Sequence, residues 1–299
     1  MSKQTNSKTI KTSIGGQAVI EGVMMRGPKL TALSVRMPDQ SISTETWDTP
    51  NSNKWYKKTP FIRGVFNFVE SLTDGYKSLM KAAEKAGLDD EEEEPSKFEQ
   101  KLRQLLGDKF MPFLQGCILL FSLAMALFFF AFLPTTLVGF FKDYINHPLA
   151  LSALEGLTKI AILILYLALI SNMSDIKRVF MYHGAEHKTI FCYEHGEELT
   201  VENVRPQKRL HPRCGTSFLL LVMVITILIY ACLGWNDSIW MRIGTRLITL
   251  PIIAGISYEV LKLCAKYENW FTKAIRWPGM QLQRLTTKEP DDDMIEIGI

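Results

Sequence analysis

Residues 113–133 form the uncharged apolar stretch FLQGCILLFSLAMALFFFAFL. About 20 consecutive apolar residues are enough for an α-helix to cross the hydrocarbon core of a bilayer. Three further apolar stretches follow, at 149–173 with two charged residues, at 216–234 with none and at 247–264 with two. We therefore predict a predominantly α-helical polytopic membrane protein with about four transmembrane helices.

Basic residues near the ends of these stretches predict how the chain is oriented. One group lies between the second and third stretches and another follows the fourth: Lys177, Arg178, Lys188, Arg205, Lys208, Arg209 and Arg213, then Lys266, Lys273, Arg276 and Arg284. Lys and Arg accumulate on the cytoplasmic side of membrane proteins. We therefore predict that the segment between the second and third stretches and both chain termini face the cytosol.

The region before the first apolar stretch follows other patterns. Residues 14–28 combine several glycines with apolar residues, which is typical of short strands joined by turns. Residues 31–37 and 41–47 alternate on either side of a Pro-Asp pair and predict a hairpin. From Phe61, apolar residues recur at spacings of three and four, which predicts an amphipathic helix lying on the bilayer or against the sheet. Together these patterns predict a small α+β cytosolic domain.

The same patterns divide the chain into consecutive parts. We predict a small β-rich cytosolic segment at 1–60 and amphipathic cytosolic or interfacial helices with an acidic linker at 61–111. A four-helix membrane domain at 112–265, with a cytosolic His/Cys loop at 174–215, precedes a cytosolic tail at 266–299. The formal net charge is only +3, and no aromatic-basic module is evident, so the sequence gives no direct support for a nucleic-acid partner.

The motif H-G-A-E-H occupies residues 183–187. Residues four apart share one face of a helix, so His183 and His187 are placed to bind one metal ion. The order H-x-x-E-H is the inverted zincin pattern, in which the glutamate acts on metal-bound water. The motif therefore indicates a zinc site with Glu186 as the catalytic base. The alternative is that both histidines solvate a helix end, in a helix that Gly184 weakens.

A zinc site needs at least one more protein ligand. His211 and Cys214, three residues apart in the same segment, are the nearest candidates. If both bind, the four-ligand shell is closed and structural; if one binds, water takes the fourth place and Glu186 acts as its base. Glu194 and Glu259 are weaker candidates.

Charged residues within apolar surroundings have an alternative, structural explanation. Glu259 lies on the fourth apolar stretch, where an ionisable side chain usually needs a partner. Lys262, or Lys159 with Glu155 on the second stretch, is a suitable partner, so we favour a structural pairing over metal ligation. For Glu21 and Arg26, we likewise favour an ion pair or surface charges over catalysis.

Several motifs together resemble the bacterial YqhQ family over nearly the whole chain. They are G-G-Q-A-V-I-E-G-V-M-M-R-G at 15–27, Y-H-G-A-E-H-K at 182–188, H-P-R-C-G-T-S-F at 211–218 and L-T-T-K-E-P-D-D-D at 285–293. This is a membrane family of unknown function, often labelled as metal-dependent enzymes. The resemblance implies a multi-pass protein of the bacterial cytoplasmic membrane.

Two functional hypotheses follow. The first is a metal-dependent hydrolase whose substrate, a peptide, lipid or other amphiphile, meets the bilayer surface near Glu186. The second is a non-catalytic scaffold or accessory factor that docks on a translocation channel, a ribosome or a membrane complex, with any metal purely structural. Replacing Glu186 by Gln distinguishes them, because only a hydrolase needs the carboxylate.

Overall fold

A computed structural model describes most of the chain, namely residues 10, 12, 14–49, 54–87, 97–234, 238–267 and 269–299. The predicted acidic linker at 89–94 lies outside these residues. The chain divides by internal contacts into a first unit, Met1–Leu88 with Ile164–Ile225 and Pro251–Ile299, and a second unit, Asp89–Leu163 with Thr226–Leu250. The four consecutive parts predicted from the sequence were defined by their expected location in the cytosol or the membrane, not by internal contacts. That division of the chain stays a prediction.

The first unit contains a four-stranded antiparallel sheet with the strand order β1-β2-β3-β4. Its strands are β1 (Gly15–Val19), β2 (Gly22–Arg26), β3 (Leu30–Arg36) and β4 (Ile42–Asp48). The predicted strands joined by turns and the predicted hairpin are thereby confirmed. At the tight turn between β1 and β2, Glu21 has a φ of 49°.

The described residues form twelve α-helices. These are α1 (Trp55–Lys58), α2 (Ile62–Lys85), α3 (Lys97–Leu106), α4 (Phe110–Leu127), α5 (Leu133–Gly139), α6 (Pro148–Ile170), α7 (Ser174–Glu194), α8 (Val201–Val204), α9 (Gly215–Leu233), α10 (Ile239–Lys266), α11 (Trp270–Thr286) and α12 (Asp292–Gly298). A π-helical segment, Phe128–Phe132, joins α4 to α5 without a break.

Four of the described helical stretches are long and apolar enough to cross a membrane. They are Phe110–Gly139, Pro148–Ile170, Gly215–Leu233 and Trp240–Lys266. Each overlaps one of the four stretches predicted from the sequence, so the predicted fold class is confirmed. Many of their apolar side chains are exposed, which is consistent with contact with lipid.

The sheet lies between α2 on one face and α7 with α12 on the other. Because successive side chains of a strand point to opposite faces, Met24 packs toward Ala82 of α2, while Val23 packs toward Tyr182 and Ala185 of α7. The predicted loop at 174–215 therefore contains a long helix, whose apolar residues form the core with the sheet.

The amphipathic helix predicted from Phe61 is α2, but its large apolar side chains are not its buried ones. Phe66, Leu72 and Tyr76 are 42%, 58% and 57% exposed. The buried residues of α2 are small: Gly64, Gly75, Ser78 and Ala82. Of the two predicted surroundings, the sheet contacts the part of this small-residue face that includes Gly75 and Ala82, whereas Gly64 contacts α10. The apolar stripe is exposed.

Candidate metal centre

The helix α7 brings its two motif histidines together, and the segment before α9 adds a cysteine. The rings of His183 and His187 have centroids 4.4 Å apart. His183 Nε2 lies 3.2 Å from Cys214 Sγ. One ligand atom from each of the three residues lies within 4.8 Å of the others, which is close enough for one metal ion. Cys214 is thus the third potential metal ligand in the cluster with His183 and His187.

The tautomer of each imidazole follows from its hydrogen bond to the backbone. His183 Nδ1 lies 2.8 Å from the Thr286 carbonyl oxygen, and His187 Nδ1 lies 2.5 Å from that of Arg209. A carbonyl oxygen can only accept a hydrogen bond, so each Nδ1 donates, and in the neutral imidazole each Nε2 then keeps the lone pair that a metal ion needs. Such carbonyl partners orient the histidine ligands of metal sites.

Two buried polar atoms at this site lack a partner. Among the described residues, neither His187 Nε2 nor Glu186 Oε2 has a hydrogen-bond partner, although both atoms are buried. Most buried polar groups in native proteins are paired with protein or ordered water. These two atoms therefore point to a ligand that bridges the histidines and the glutamate.

Glu186 lies beside the three potential ligands, against the first strand. Its Oε2 is 4.0 Å from His183 Nε2. A Cβ at Gly16 of β1 would lie 2.7 Å from the Glu186 carboxyl carbon, so only glycine allows this approach. Burial raises the pKa of Glu186 to about 7, although His183 and a hydrogen bond from the Gly16 backbone oppose the shift. A carboxyl group with such a pKa can both accept and donate a proton near neutral pH.

The C-terminal segment forms one wall of the site, which the sequence analysis did not predict. The Lys288 amide donates to the Phe180 carbonyl of α7 at 2.8 Å. A Cβ at Gly184 would lie 2.1 Å from the Lys288 carbonyl oxygen, so this glycine is needed for the contact. The motif L-T-T-K-E-P-D-D-D was the available signal, because it includes Thr286 and Lys288.

His211 and Glu194 lie next to the site, but they contact each other. The rings of His187 and His211 have centroids 5.6 Å apart, and His211 Nε2 lies 3.8 Å from Glu194 Oε2. Burial lowers the pKa of His211 to about 4, and the neighbouring His187 and the positive charge of Arg213 act in the same direction. Arg213 and Thr12 donate to the Glu194 carboxylate. Among the described residues, both candidates therefore lie outside the three-residue cluster.

Glu259 has the structural pairing that the sequence favours, but with a different partner. Arg63 of α2 donates to both carboxylate oxygens of Glu259, with a distance of 2.7 Å from Nε. The predicted partners were Lys262, or Lys159 with Glu155. Lys159 instead lies 2.9 Å from Glu155 within the second unit.

The two charged residues of the first hairpin also form ion pairs. Arg178 of α7 donates to both oxygens of Glu21, at 2.6 and 2.5 Å, and Tyr182 donates at 3.1 Å. The bonds from Arg178 hold the pKa of Glu21 below its usual range. Arg26 pairs with Asp74 of α2 at 3.0 Å. Glu21 and Arg26 therefore each form an ion pair that joins the hairpin to a helix of the first unit.

The four apolar helices and the small sheet define an α-helical membrane protein. Residues 59–299 match the family described as "Protein of unknown function (DUF1385)". The chain is also 37% identical over 293 residues to "Uncharacterized protein YqhQ" of Bacillus subtilis (strain 168), covering 97% of this chain and 91% of that protein. No solved structure matches significantly. The chain therefore belongs to the DUF1385 family, and the resemblance to YqhQ is confirmed.

Proposed function

We propose that this protein is a metal-dependent hydrolase of the bacterial cytoplasmic membrane. His183, His187 and Cys214 hold a zinc ion, and Glu186 is the catalytic base. The observation that supports this most is the buried Nε2 of His187, which has no partner among the described residues and lies in a cluster with two other potential ligands.

The donor set fits a catalytic rather than a closed zinc site. Zinc prefers nitrogen and sulfur ligands, and catalytic sites combine three protein ligands with one open position. A zinc ion held by these three residues would supply Lewis-acid chemistry, which in zinc enzymes brings the pKa of water to about 7. His211 would close the shell as a fourth ligand, but its Nε2 is directed to Glu194.

The residues around the cluster have distinct tasks in hydrolysis. The carbonyls of Thr286 and Arg209 hold the two imidazoles in the ligand tautomer. Glu186 accepts a proton from the attacking water, whose oxygen bonds to the carbonyl carbon of an ester or amide. The bond from that carbon to the leaving oxygen or nitrogen then breaks, and Glu186 returns the proton to the leaving alcohol or amine.

The distribution of basic residues supports a cytosolic position for the site. Lys177 and Arg178 lie at the start of α7, and Arg205, Arg209 and Arg213 precede α9. Basic residues near the ends of membrane helices favour the cytosolic side. We accordingly propose that α7, the sheet and both termini face the cytosol.

Metal analysis of the purified full-length protein tests the ligand set. We expect about one zinc ion per chain in the parent and in Glu186→Gln, and loss of zinc in His183→Ala, His187→Ala and Cys214→Ala. His195→Ala is the matched control, because His195 lies at the end of the same helix and bonds to Gln207. A parent without zinc, or ligand variants with as much zinc as the parent, would contradict the proposal.

The role of Glu186 is tested by turnover of a fluorogenic acyl ester. General acid–base catalysis contributes about 10²–10⁴-fold, so Glu186→Gln should lose at least about a hundredfold in rate while keeping its zinc and its thermal stability. A zinc-loaded parent without activity, or a variant as active as the parent, would instead favour the scaffold that docks on a translocation channel, ribosome or membrane complex.

A further inference from the structure

We infer that the first unit binds an anionic phospholipid. One acyl chain lies beside α2, the headgroup lies at Lys262 and Arg276, and the ester linkage lies between them, near Glu186. The assignment of this lipid as the substrate rests on the proposed function, whereas its binding does not require a metal.

An apolar cavity of about 490 Å³ lies between α2, α9 and α10. Its lining includes Phe68 and Leu72 of α2, Phe218 of α9 and Leu261 of α10. Its volume is in the range of known small-molecule sites, about 300–1,000 Å³. The exposed apolar stripe of α2 continues from Leu72, so an acyl chain has an apolar route from the bilayer into the cavity.

The helix contacts at one end of this cavity hold it in shape. A Cβ at Gly64 would lie 2.7 Å from Tyr258 Cβ and 2.9 Å from Gly255 Cα, so α2 and α10 meet closely there. The Arg63–Glu259 ion pair joins the same two helices. The cavity is therefore bounded by a fixed helix crossing rather than by loops.

A second cavity, of about 400 Å³, adjoins the first and is basic. The two share Tyr258 and Leu261, and the second is also lined by Arg213, Lys262 and Arg276. Arg213 is paired with Glu194. Within the described part of the chain, Lys262 and Arg276 form no ion pair. Arg276 Nε donates to the Thr272 carbonyl, and Lys262 lies in the field of Glu259, but among the residues that the structure describes neither cation has a carboxylate within ion-pair distance. Two such cations beside an apolar cavity complement the phosphate of an anionic lipid.

A third cavity, of about 490 Å³, adjoins these two, and Gly16 in its lining also lies against the Glu186 side chain of the candidate metal centre. It shares Ser71 and Gly215 with the apolar cavity and Gly15 with the basic one. Gly215 lines it as well and directly follows the potential ligand Cys214. The ester of a phospholipid lies between the acyl chain and the headgroup, which matches the position of this third cavity.

The lining favours a lipid over a peptide. An extended peptide needs hydrogen-bond partners for its backbone, since each unpaired buried group is costly. The apolar cavity presents the polar side chains of Gln17, Asn67, Ser71 and Tyr258, but the amide of Gln17 already donates to Gly75. An acyl chain has no such requirement.

Native mass spectrometry of the purified full-length protein in detergent tests the inference. The probes are phosphatidylglycerol, phosphatidylcholine with the same acyl chains, and glycerol phosphate. We expect saturable binding of phosphatidylglycerol, roughly tenfold weaker binding of phosphatidylcholine, and no binding of glycerol phosphate. Equal binding of the two lipids, preferential binding of an apolar peptide, or binding of glycerol phosphate as tight as that of the lipid overturns the inference.

Two pairs of variants locate the lipid. Lys262→Ala with Arg276→Ala should lower phosphatidylglycerol binding to the level of phosphatidylcholine, whereas Lys266→Ala with Lys273→Ala, which removes the same charge from residues outside the basic cavity, should not. Ser71→Trp should block binding by filling the junction of two cavities. Thr73→Trp, two residues along α2, should not. The assigned position is overturned if the Lys266/Lys273 double variant lowers binding as much as the Lys262/Arg276 double variant. It is also overturned if Thr73→Trp blocks binding as much as Ser71→Trp.

Measuring zinc content and lipid binding on the same parent protein separates this inference from the proposed function, because no proposed metal ligand lines any of the three cavities. A parent without zinc that binds the lipid overturns the proposed function alone. A zinc-loaded parent that fails to bind the lipid overturns this inference alone.

Discussion

Each unit buries a cluster of charged or ionisable side chains, and the two clusters differ in how their polar atoms are paired. In the second unit, the Glu155 carboxylate is paired with Arg246 and with Lys159, and Thr135 donates to it at 3.2 Å. In the first unit, Glu186 Oε2 and His187 Nε2 have no partner among the described residues. An ionisable residue in an apolar segment is by default a candidate functional residue, so the partners of each group decide between a structural and a functional role.

The difference lies in which polar atoms remain without partners. A carboxylate whose two oxygens are both paired with buried cations is already neutralised, which favours a role in holding helices together over ligand binding. Buried atoms without partners are rare, because each costs about 1–3 kcal/mol when it is left unpaired. The comparison therefore indicates a structural role for Glu155, and it supports the proposed binding role of the cluster around Glu186.

The largest effect is expected from breaking the ion-pair cluster of the second unit. Glu155→Leu leaves Arg246 and Lys159 buried without a counter-charge. Removing one partner of a buried ion pair costs about 3–5 kcal/mol, so the free energy of unfolding should fall by that amount. Unfolding of the detergent-solubilised protein, followed by circular dichroism during SDS titration, measures the loss.

A triple variant provides the control for this prediction. Glu155→Leu combined with Lys159→Met and Arg246→Met removes all three charges, and a buried ion pair can often be replaced by apolar residues without loss of stability. We expect most of the stability to return and the zinc content to equal that of the parent. A single variant as stable as the parent would show that the cluster is not structural.

The next largest effect is expected at the contact between α7 and the C-terminal segment. In Gly184→Ala, the new Cβ would lie 2.1 Å from the Lys288 carbonyl oxygen, so the backbone must shift. Overpacking of this kind costs about 1–3 kcal/mol. Zinc content should fall too, because the shifted segment includes the Thr286 carbonyl that orients His183.

Gly116→Ala is the matched control for this glycine. Gly116 lies within α4 with nothing near its Cβ position, so alanine should be neutral or should stabilise the helix by about 0.5–1 kcal/mol. Equal effects of the two substitutions would mean that Gly184 matters only through helix propensity.

What the sequence predicted well depends on local pattern. The four apolar stretches and the hairpin follow from periodicity within single elements, and the structure has them where they were predicted. The pairing of His183 with His187 on one helix face belongs to the same class, because a spacing of four fixes it. Such features need no knowledge of distant contacts.

What the sequence left open depends on contacts between distant residues. Whether His211 or Cys214 lies close enough to be the third metal ligand depends on how the segment before α9 packs on α7. The spacing of residues in the sequence does not fix that packing. Glu259 finds Arg63, 196 residues away, rather than a neighbour in the membrane stretches. Gly184 would weaken an isolated helix, but here a glycine is needed because the Lys288 carbonyl lies against it. Lys288 belongs to a segment that the sequence predicted only as a C-terminal tail.

Glu259 is a paired carboxylate in the first unit, so it tests whether paired groups in that unit have a structural role rather than a role in metal binding. Since Arg63 occupies both oxygens of Glu259, Glu259→Gln should leave the zinc content unchanged. The free energy of unfolding should fall by about 1–2 kcal/mol, because a charge-assisted hydrogen-bonded pair is lost at a partly exposed position. Lys262→Gln, at the partner predicted from the sequence, should have little effect on stability. Zinc loss in Glu259→Gln would restore this residue as a ligand candidate.

The smallest effect is expected at Glu21, whose carboxylate is paired with Arg178 and Tyr182. Arg178 is half exposed, so Glu21→Gln should lower the free energy of unfolding by only about 0.5 kcal/mol near pH 7. Because the bonds from Arg178 hold the pKa of Glu21 below its usual range in the folded state, this contribution is present above the unfolded-state pKa of about 4.3.

The contribution of Glu21 should disappear as the pH falls through its lower folded-state pKa, because the protonated carboxyl no longer attracts Arg178. Thermal unfolding of parent and variant between about pH 7 and about pH 3 should therefore show a difference that shrinks toward acid. Glu84→Gln, an exposed position on α2, is the control and should show no such trend. A constant difference for Glu21→Gln across this range would mean that its charge does not stabilise the fold, and the paired groups of the first unit would then need another explanation than ion pairing.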